Sequence, residues 1–473
     1  MITTSKKAPG RSQFRMLAIV VGVVGAGYFG WASLRTGDPP IITIEPKAAA
    51  VGQSTQVTVV VQEAKRGLVD VKVEALGAGI MGQRTLLETR WEAPPAHKPW
   101  VAPEEKEGSF VVVVGKKHIT ELTEGTLTLR VTAGRAGTWL LHPDPVVVEK
   151  TLEVKLTPPI VVPQSQFVHV AQGGVEAIVY QVGPTSVKDG VVIGDWTFFG
   201  HPLPGGTAQQ RFALFALPYD HAGPEDQVKS DVKLFAEDDI GNRSTASFVN
   251  KYIPRPMGKD IIELQPKFME KVTNEIYAQT PALKKSGVLL DDYLQLNREL
   301  RKQNNAFLIE LSKKSRPSFL WKAVFQPFDN AAIKGAFADR RTYRAEGNDV
   351  DTQDHLGFDL ARVERSPVPA GNDGVVAFAG YFGIYGNCVI LDHGYGLMSL
   401  YAHLSSMAVK EGDAVTRGQT IATTGATGLA GGDHLHFTTL LSGLAVNPIE
   451  WWDSHWLDDR LKLKLGPALP YPG

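Results

Sequence analysis

Nineteen uncharged and mostly apolar residues, Met16 to Leu34, separate a basic stretch carrying Lys6, Lys7, Arg11 and Arg15 from Arg35. That length spans a bilayer, and the basic flank predicts a short cytoplasmic tail with everything after Arg35 outside. A cleaved leader is the alternative, because Gly30-Trp31-Ala32 offers small residues for a cut, although the apolar stretch outruns a usual leader core. From Pro39 to Pro254 the apolar period is two, as in Val57 to Val61, Val69 to Val73 and Leu127 to Val131, which predicts strands. Pro39-Pro40-Ile41 returns as Pro158-Pro159-Ile160, so two tandem β-sandwiches are expected, at 39–155 and 156–254. Beyond Pro256 the period lengthens. Leu264, Phe268, Val272 and Ile276 recur every four residues, and Leu289, Tyr293, Leu296, Leu300, Phe307 and Leu311 trace a second stripe after Ser286-Gly287. This predicts an antiparallel helical hairpin over 255–318. Residues 319–453 return to short strands and turns, and 454–473 read as a terminal amphipathic helix and tail.

Composition narrows the function classes. With 43% hydrophobic and 21% charged residues over 473 positions, the chain has enough apolar content for several cores. Its 49 basic and 50 acidic residues leave a net charge of -1, which supplies no positive field for phosphates, so nucleic acid is not an expected partner. Cys388 is the sole cysteine. It rules out an intramolecular disulfide and any multi-cysteine zinc site, so a metal would need His and carboxylate ligands. Flanked by Asn387 and Val389, it reads as a small buried residue.

Six of the 12 histidines, His355, His393, His403, His434, His436 and His455, fall in the last third. His434-Leu435-His436 runs into Phe437-Thr438-Thr439-Leu440, an extended pattern. On a strand, residues two apart share a face about 6.6 Å apart, so the triplet aims two imidazoles into one space. In His355-Leu356-Gly357-Phe358-Asp359 an imidazole and a carboxylate would stand about 13 Å apart on a straight strand, and Gly357 permits the bend that brings them together. Alternation in Ser399-Leu400-Tyr401-Ala402-His403-Leu404 places His403 with Tyr401 and Ser399 on a polar side facing a wet cleft. Two histidines and an aspartate suit Zn²⁺ with a fourth position left for water. His393 falls in an expected turn and His455 on the terminal helix, and neither reads as a ligand. Arg340, Arg341 and Tyr343 could line a groove, though a solvated strand edge is their ordinary reading.

The motifs HLGFD at 355–359, YAHL at 401–404 and HLHF at 434–437 resemble the signature of lysostaphin/LytM-type zinc metallopeptidases, in the family's order. Tyr385-Gly386-Asn387, Gly412-Asp413, Gly418-Gln419, Thr427-Gly428 and Val446-Asn447-Pro448 extend the likeness across 319–453. Carried over position by position, the resemblance implies that His355, Asp359 and His436 ligate one Zn²⁺ per chain, and that His403 and His434 act on water and transition state, in an order left open. Asp433 stands where a proline is common, and Thr438 where an acidic residue often follows. The implied activity is peptide-bond hydrolysis in peptidoglycan stems or crosslinks, and with a periplasm the implied bond is D-Ala to diaminopimelate. More loosely, Val232 to Asn242 resembles the strand and turn that end bacterial immunoglobulin-like modules.

The expected architecture is mostly β with a helical hairpin: tail and anchor at 1–38, two immunoglobulin-like β-sandwiches, the hairpin, and a LytM-type antiparallel β peptidase domain at 319–453. The expected location is the cytoplasmic membrane, single-pass through lipid at 16–34, with the later domains in the periplasm. Besides peptidoglycan peptide, an envelope protein is a candidate partner for the sandwiches or the hairpin. One competing reading is a catalytically silent regulator of a cell-wall amidase, although such members usually lack ligands and this sequence lacks none. Another is a biotinyl or lipoyl carrier, suggested by Val409 to Val415 with Gly418-Gln419, which leaves the histidines unexplained.

Overall fold

A computed structural model of the chain describes residues 11–63, 65–93, 95–98, 101 and 106–472; Lys6 and Lys7 of the basic flank lie outside them. The fold is mostly β and divides into two compact units, residues 1–158 with 237–243, and 159–236 with 244–473. The first contains a helix, α1 (Arg11–Ser33), of which Phe14–Ser33 is long and apolar enough to cross a membrane by length and composition. Its strands form a three-stranded sheet (Ile41–Pro46, Thr55–Gln62, Glu107–Val114) and a five-stranded sheet containing Leu68–Gly77 and Gly125–Arg135. The period-two valines explain the arrangement, since Val57, Val59 and Val61 of one sheet and Val71, Val73, Leu129 and Val131 of the other are buried in a shared core.

The second unit opens with two four-stranded sheets, one containing Val175–Val182 and Gln210–Ala216, the other Lys188–Ile193 and Lys233–Glu237. Their core is not self-contained. Tyr180, Phe212 and Phe215 are buried in one cluster with Trp321, Phe325, Trp451 and the Leu457, Leu461 and Leu465 stripe of the C-terminal helix. Residues read as a separate sandwich and a separate tail are therefore packed as one body with the segment between them.

The segment read as wholly helical begins with a strand, β1 (Lys259–Glu263). Two helices follow: α2 (Pro266–Gln279), with proline in its first turn, and α3, which runs through Leu289–Gln295, a π-turn at Leu296–Leu300, and Arg301–Ser312. The π-turn inserts one residue and rotates the buried face. Asn304, Leu308 and Leu311 turn inward after it, and Phe307, expected on the stripe, is 40% exposed.

Eight of the later strands build the platform of the site: β2 (Ala332–Gly335), β3 (Asp339–Ala345), β4 (Asn348–His355), β5 (Phe358–Ala361), β6 (Gly374–Tyr381), β7 (Asn387–Gly394), β8 (Leu397–Leu404) and β9 (Leu435–Leu441). One sheet runs β2-β5-β9-β8-β7-β6, and β1 pairs parallel with β3 in a second sheet that includes β4. Every residue of β8 and β9 is buried, as expected of central strands covered on both faces.

Candidate metal centre

The sheet register brings the HLGFD aspartate opposite the HLHF histidine, since Asp359 on β5 is the cross-strand partner of His436 on β9. His355 ends β4, and the chain turns at Gly357 before β5. A Cβ at Gly357 would lie 2.6 Å from Thr438 Oγ1 and 2.7 Å from His436 Nε2, so the turn requires glycine for space. The result is a convergence of three ligand atoms that could hold a metal ion. His355 Nε2 is 3.0 Å from Asp359 Oδ1 and 3.0 Å from His436 Nδ1, which is itself 2.9 Å from Asp359 Oδ1.

Hydrogen bonds behind the rings decide which nitrogens carry protons. His355 Nδ1 faces the carbonyl oxygen of Ala336 at 2.9 Å, a pure acceptor, so Nδ1 is the N–H and Nε2 offers a lone pair. Thr438 Oγ1 donates to Leu356 O at 2.7 Å and lies 3.0 Å from His436 Nε2. It therefore accepts from His436 Nε2–H, leaving Nδ1 with the lone pair. Two imidazole lone pairs and a carboxylate oxygen thus point at one another, an arrangement suited to a cation. The N and O donor set is one that Zn²⁺ accepts.

Burial alone would raise the Asp359 carboxyl, but the surrounding imidazoles of His355, His434 and His436 outweigh it and hold the group well below the usual carboxylate range. Burial pushes His436 down to about 4 against the opposing pull of Asp359. Arg341 on β3 donates from Nη2 to Asp359 Oδ2 at 2.7 Å. This places Arg341 in the site, where the sequence favoured a solvated edge.

His403 and His434 meet at the rim of the trio, with ring centroids 4.9 Å apart. His403 Nδ1 donates to Thr427 O and His434 Nδ1 to Gly432 O, each at 2.8 Å, which turns both Nε2 atoms toward the trio, His434 Nε2 lying 3.4 Å from Asp359 Oδ1. Burial holds His403 well below the ordinary imidazole value. Burial would lower His434 too, but Asp359 at 3.4 Å outweighs it and raises the group. A cation on Asp359 would weaken that effect. His403 lines the cleft, but not by alternation. Ala402 and His403 together oppose Cys388, a β-bulge, and His403 adopts φ +60°, which turns it off the face it would share with Tyr401. Tyr401 and Ser399 are buried, with no wet side. His393 lies on β7 rather than in a turn, fully buried against Ser399 Oγ at 2.7 Å. Cys388 is buried, as expected.

A cavity of about 380 Å³ opens over the five residues. Its far wall includes Tyr293 and Arg301 from α3 and Tyr343 from β3. Nothing in the sequence singled out Tyr293, which has the spacing of an ordinary core residue.

Residues 353–448 match the family model described as Peptidase family M23, so the chain carries an M23 peptidase domain in its C-terminal part. Over 95 residues it is 43% identical to the DD-carboxypeptidase/endopeptidase Mpg of Neisseria meningitidis, covering 20% of this chain and 22% of that protein. Over 122 residues it is 35% identical to the peptidoglycan DD-endopeptidase ShyC of Vibrio cholerae, covering 26% and 28%. The matched stretch is under a third of the length of these relatives. Among solved structures, the catalytic domain of lysostaphin from Staphylococcus simulans is 29% identical, with a TM-score of 0.23, covering 27% of this chain and 95% of that one.

Proposed function

We propose that the chain is a membrane-anchored, zinc-dependent endopeptidase that hydrolyses peptide bonds of peptidoglycan stems or crosslinks. The observation that carries this reading is the convergence of two imidazole lone pairs and a carboxylate oxygen at His355, His436 and Asp359, with two further imidazoles beside them. The names of the relatives supply the substrate class.

His355, Asp359 and His436 would hold the zinc ion. When bound, zinc supplies Lewis acidity, polarising a carbonyl and acidifying water. His403, neutral because it is buried and with its Nδ1 proton committed to Thr427 O, takes a proton from water at Nε2. His434, with its Nδ1–H committed to Gly432 O, donates from Nε2 as the imidazolium to the oxyanion that forms at the scissile carbonyl. Arg341 and Thr438 position Asp359 and His436 from behind. The apolar helix α1 is the anchor, and residues 39–155 form an immunoglobulin-like spacer; 156–254 form a second such sandwich, joined through its core to the peptidase domain.

The test is elemental analysis of the purified full chain together with mass spectrometry of digested sacculi. One zinc per chain and cleaved crosslinks that vanish on chelation are expected. Stoichiometric zinc without any product would leave a silent regulator, and absence of zinc would remove the hydrolase reading.

A further inference from the structure

The wall of the cavity that opens over the metal-ligating trio carries polar groups that the protein leaves unsatisfied. Tyr293 is fully buried and lines the cavity, yet its hydroxyl has no hydrogen-bond partner. Arg341 spends Nη2 on Asp359 and keeps Nε buried without a partner. Arg301 lines the same wall, with Nε held by Asn297 O at 3.1 Å and Nη2 by Asn297 Oδ1 at 2.7 Å. Those two bonds fix the plane of the guanidinium before any ligand arrives. Both arginines act electrostatically on the Tyr293 phenol. The opposing charges are Asp359, already paired with Arg341, Asp351, which acts on the same phenol and is paired with Arg298, and Glu263, whose side chain is 54% exposed and 3.6 Å from Arg344.

A buried donor without an acceptor forfeits the hydrogen bond it made with water. Here a phenol O–H and a guanidinium N–H share a cavity roomy enough for a ligand, beside a second braced guanidinium. The chemistry that satisfies all of them is a planar anion with several acceptor lone pairs, and guanidinium groups match carboxylates in both charge and geometry.

We infer that Tyr293, Arg301 and Arg341 form a subsite for a free carboxylate of the peptide substrate, so that hydrolysis is selective for peptides bearing one. The inference rests on the peptidase reading and deepens it: α3 is then a wall of the substrate site. The carboxylate has two sources, the C-terminal α-carboxylate or an acidic side chain.

The experiment uses the zinc-loaded full chain and three synthetic stem peptides: the parent, its C-terminal amide, and its side-chain carboxamide. Values of kcat/KM come from mass spectrometry, and Kd from calorimetry with zinc-loaded His403→Ala as a turnover-deficient host. One amide is expected to lose at least about tenfold in both readouts, the scale of one charge-assisted hydrogen bond, and its identity names the source. In Arg301→Gln the same amide should lose less than about threefold relative to the parent. Tyr293→Phe, which deletes an oxygen that bonds nothing in the protein, should weaken the parent but not that amide. Neither amide losing affinity, or equal losses in wild type and Arg301→Gln, would overturn the subsite. Carboxylate-dependent binding without hydrolysis would sink the peptidase reading and spare the subsite, whereas hydrolysis indifferent to both amides would do the reverse.

Discussion

Arg341 donates from Nη2 to Asp359 Oδ2 at 2.7 Å, while Oδ1 of the same carboxylate faces the nitrogens of His355 and His436. One oxygen is thereby anchored from behind and the other left for a cation. Outer hydrogen bonds of this kind are typically worth about 10–100-fold in metal affinity. Arg341→Gln should keep the fold and weaken zinc binding by that factor, as read by titration against a chromophoric chelator. Unchanged affinity would show that the pair only fills space.

Thr438 sets the His436 tautomer by donating to Leu356 O and accepting from Nε2–H. Thr438→Val removes that acceptor while keeping the shape, and should cost at least about tenfold in zinc affinity. Thr438→Ser, which restores the hydroxyl, should recover most of it. Equal losses in both variants would point to packing rather than proton placement.

His403 stands at the rim, outside the trio that could hold a metal. His403→Ala should therefore retain one zinc per chain and lose about 10²- to 10⁴-fold in kcat on purified sacculi. A variant that digests sacculi at the parental rate would end the assignment of a base role to His403.

Much of this site can be read in the chain because its parts lie on strands. The two-residue period of His434-Leu435-His436 and the need to bend at Gly357 are local facts, and cross-strand pairing of Asp359 with His436 completes them. What escaped were features that break local periodicity. The bulge at Ala402 and His403 reverses a face, and the π-turn in α3 exchanges Phe307 for Leu308, because one inserted residue defeats an alternation argument. Tyr293 and Arg301 were invisible for another reason: their significance depends on a cavity formed by segments remote in sequence. The shared core joining Phe212 to Trp451 is likewise a long-range product that no repeat in the chain announces.

That shared core contains a buried acid whose titration reports on it. Glu450 is 4% exposed and accepts from Val175 N at 2.7 Å and Arg255 Nη2 at 2.8 Å. Burial pushes its carboxyl up to about 7, with Arg255 and Val175 opposing and nearby Glu176 assisting. The folded value thus lies above the ordinary 4.5, so the folded state holds the proton more tightly. Its contribution is most favourable below about 4.5, is lost as pH rises through 7, and is flat beyond; the span is of order 3 kcal/mol. In Glu450→Gln the carboxamide oxygen still accepts from Val175 N but does not titrate. Urea unfolding at pH 5, 6 and 7, followed by tryptophan fluorescence, should show wild type losing stability relative to the variant over that range. Parallel profiles would mean that Glu450 is ionised throughout and that its ion pair with Arg255 fully offsets its burial.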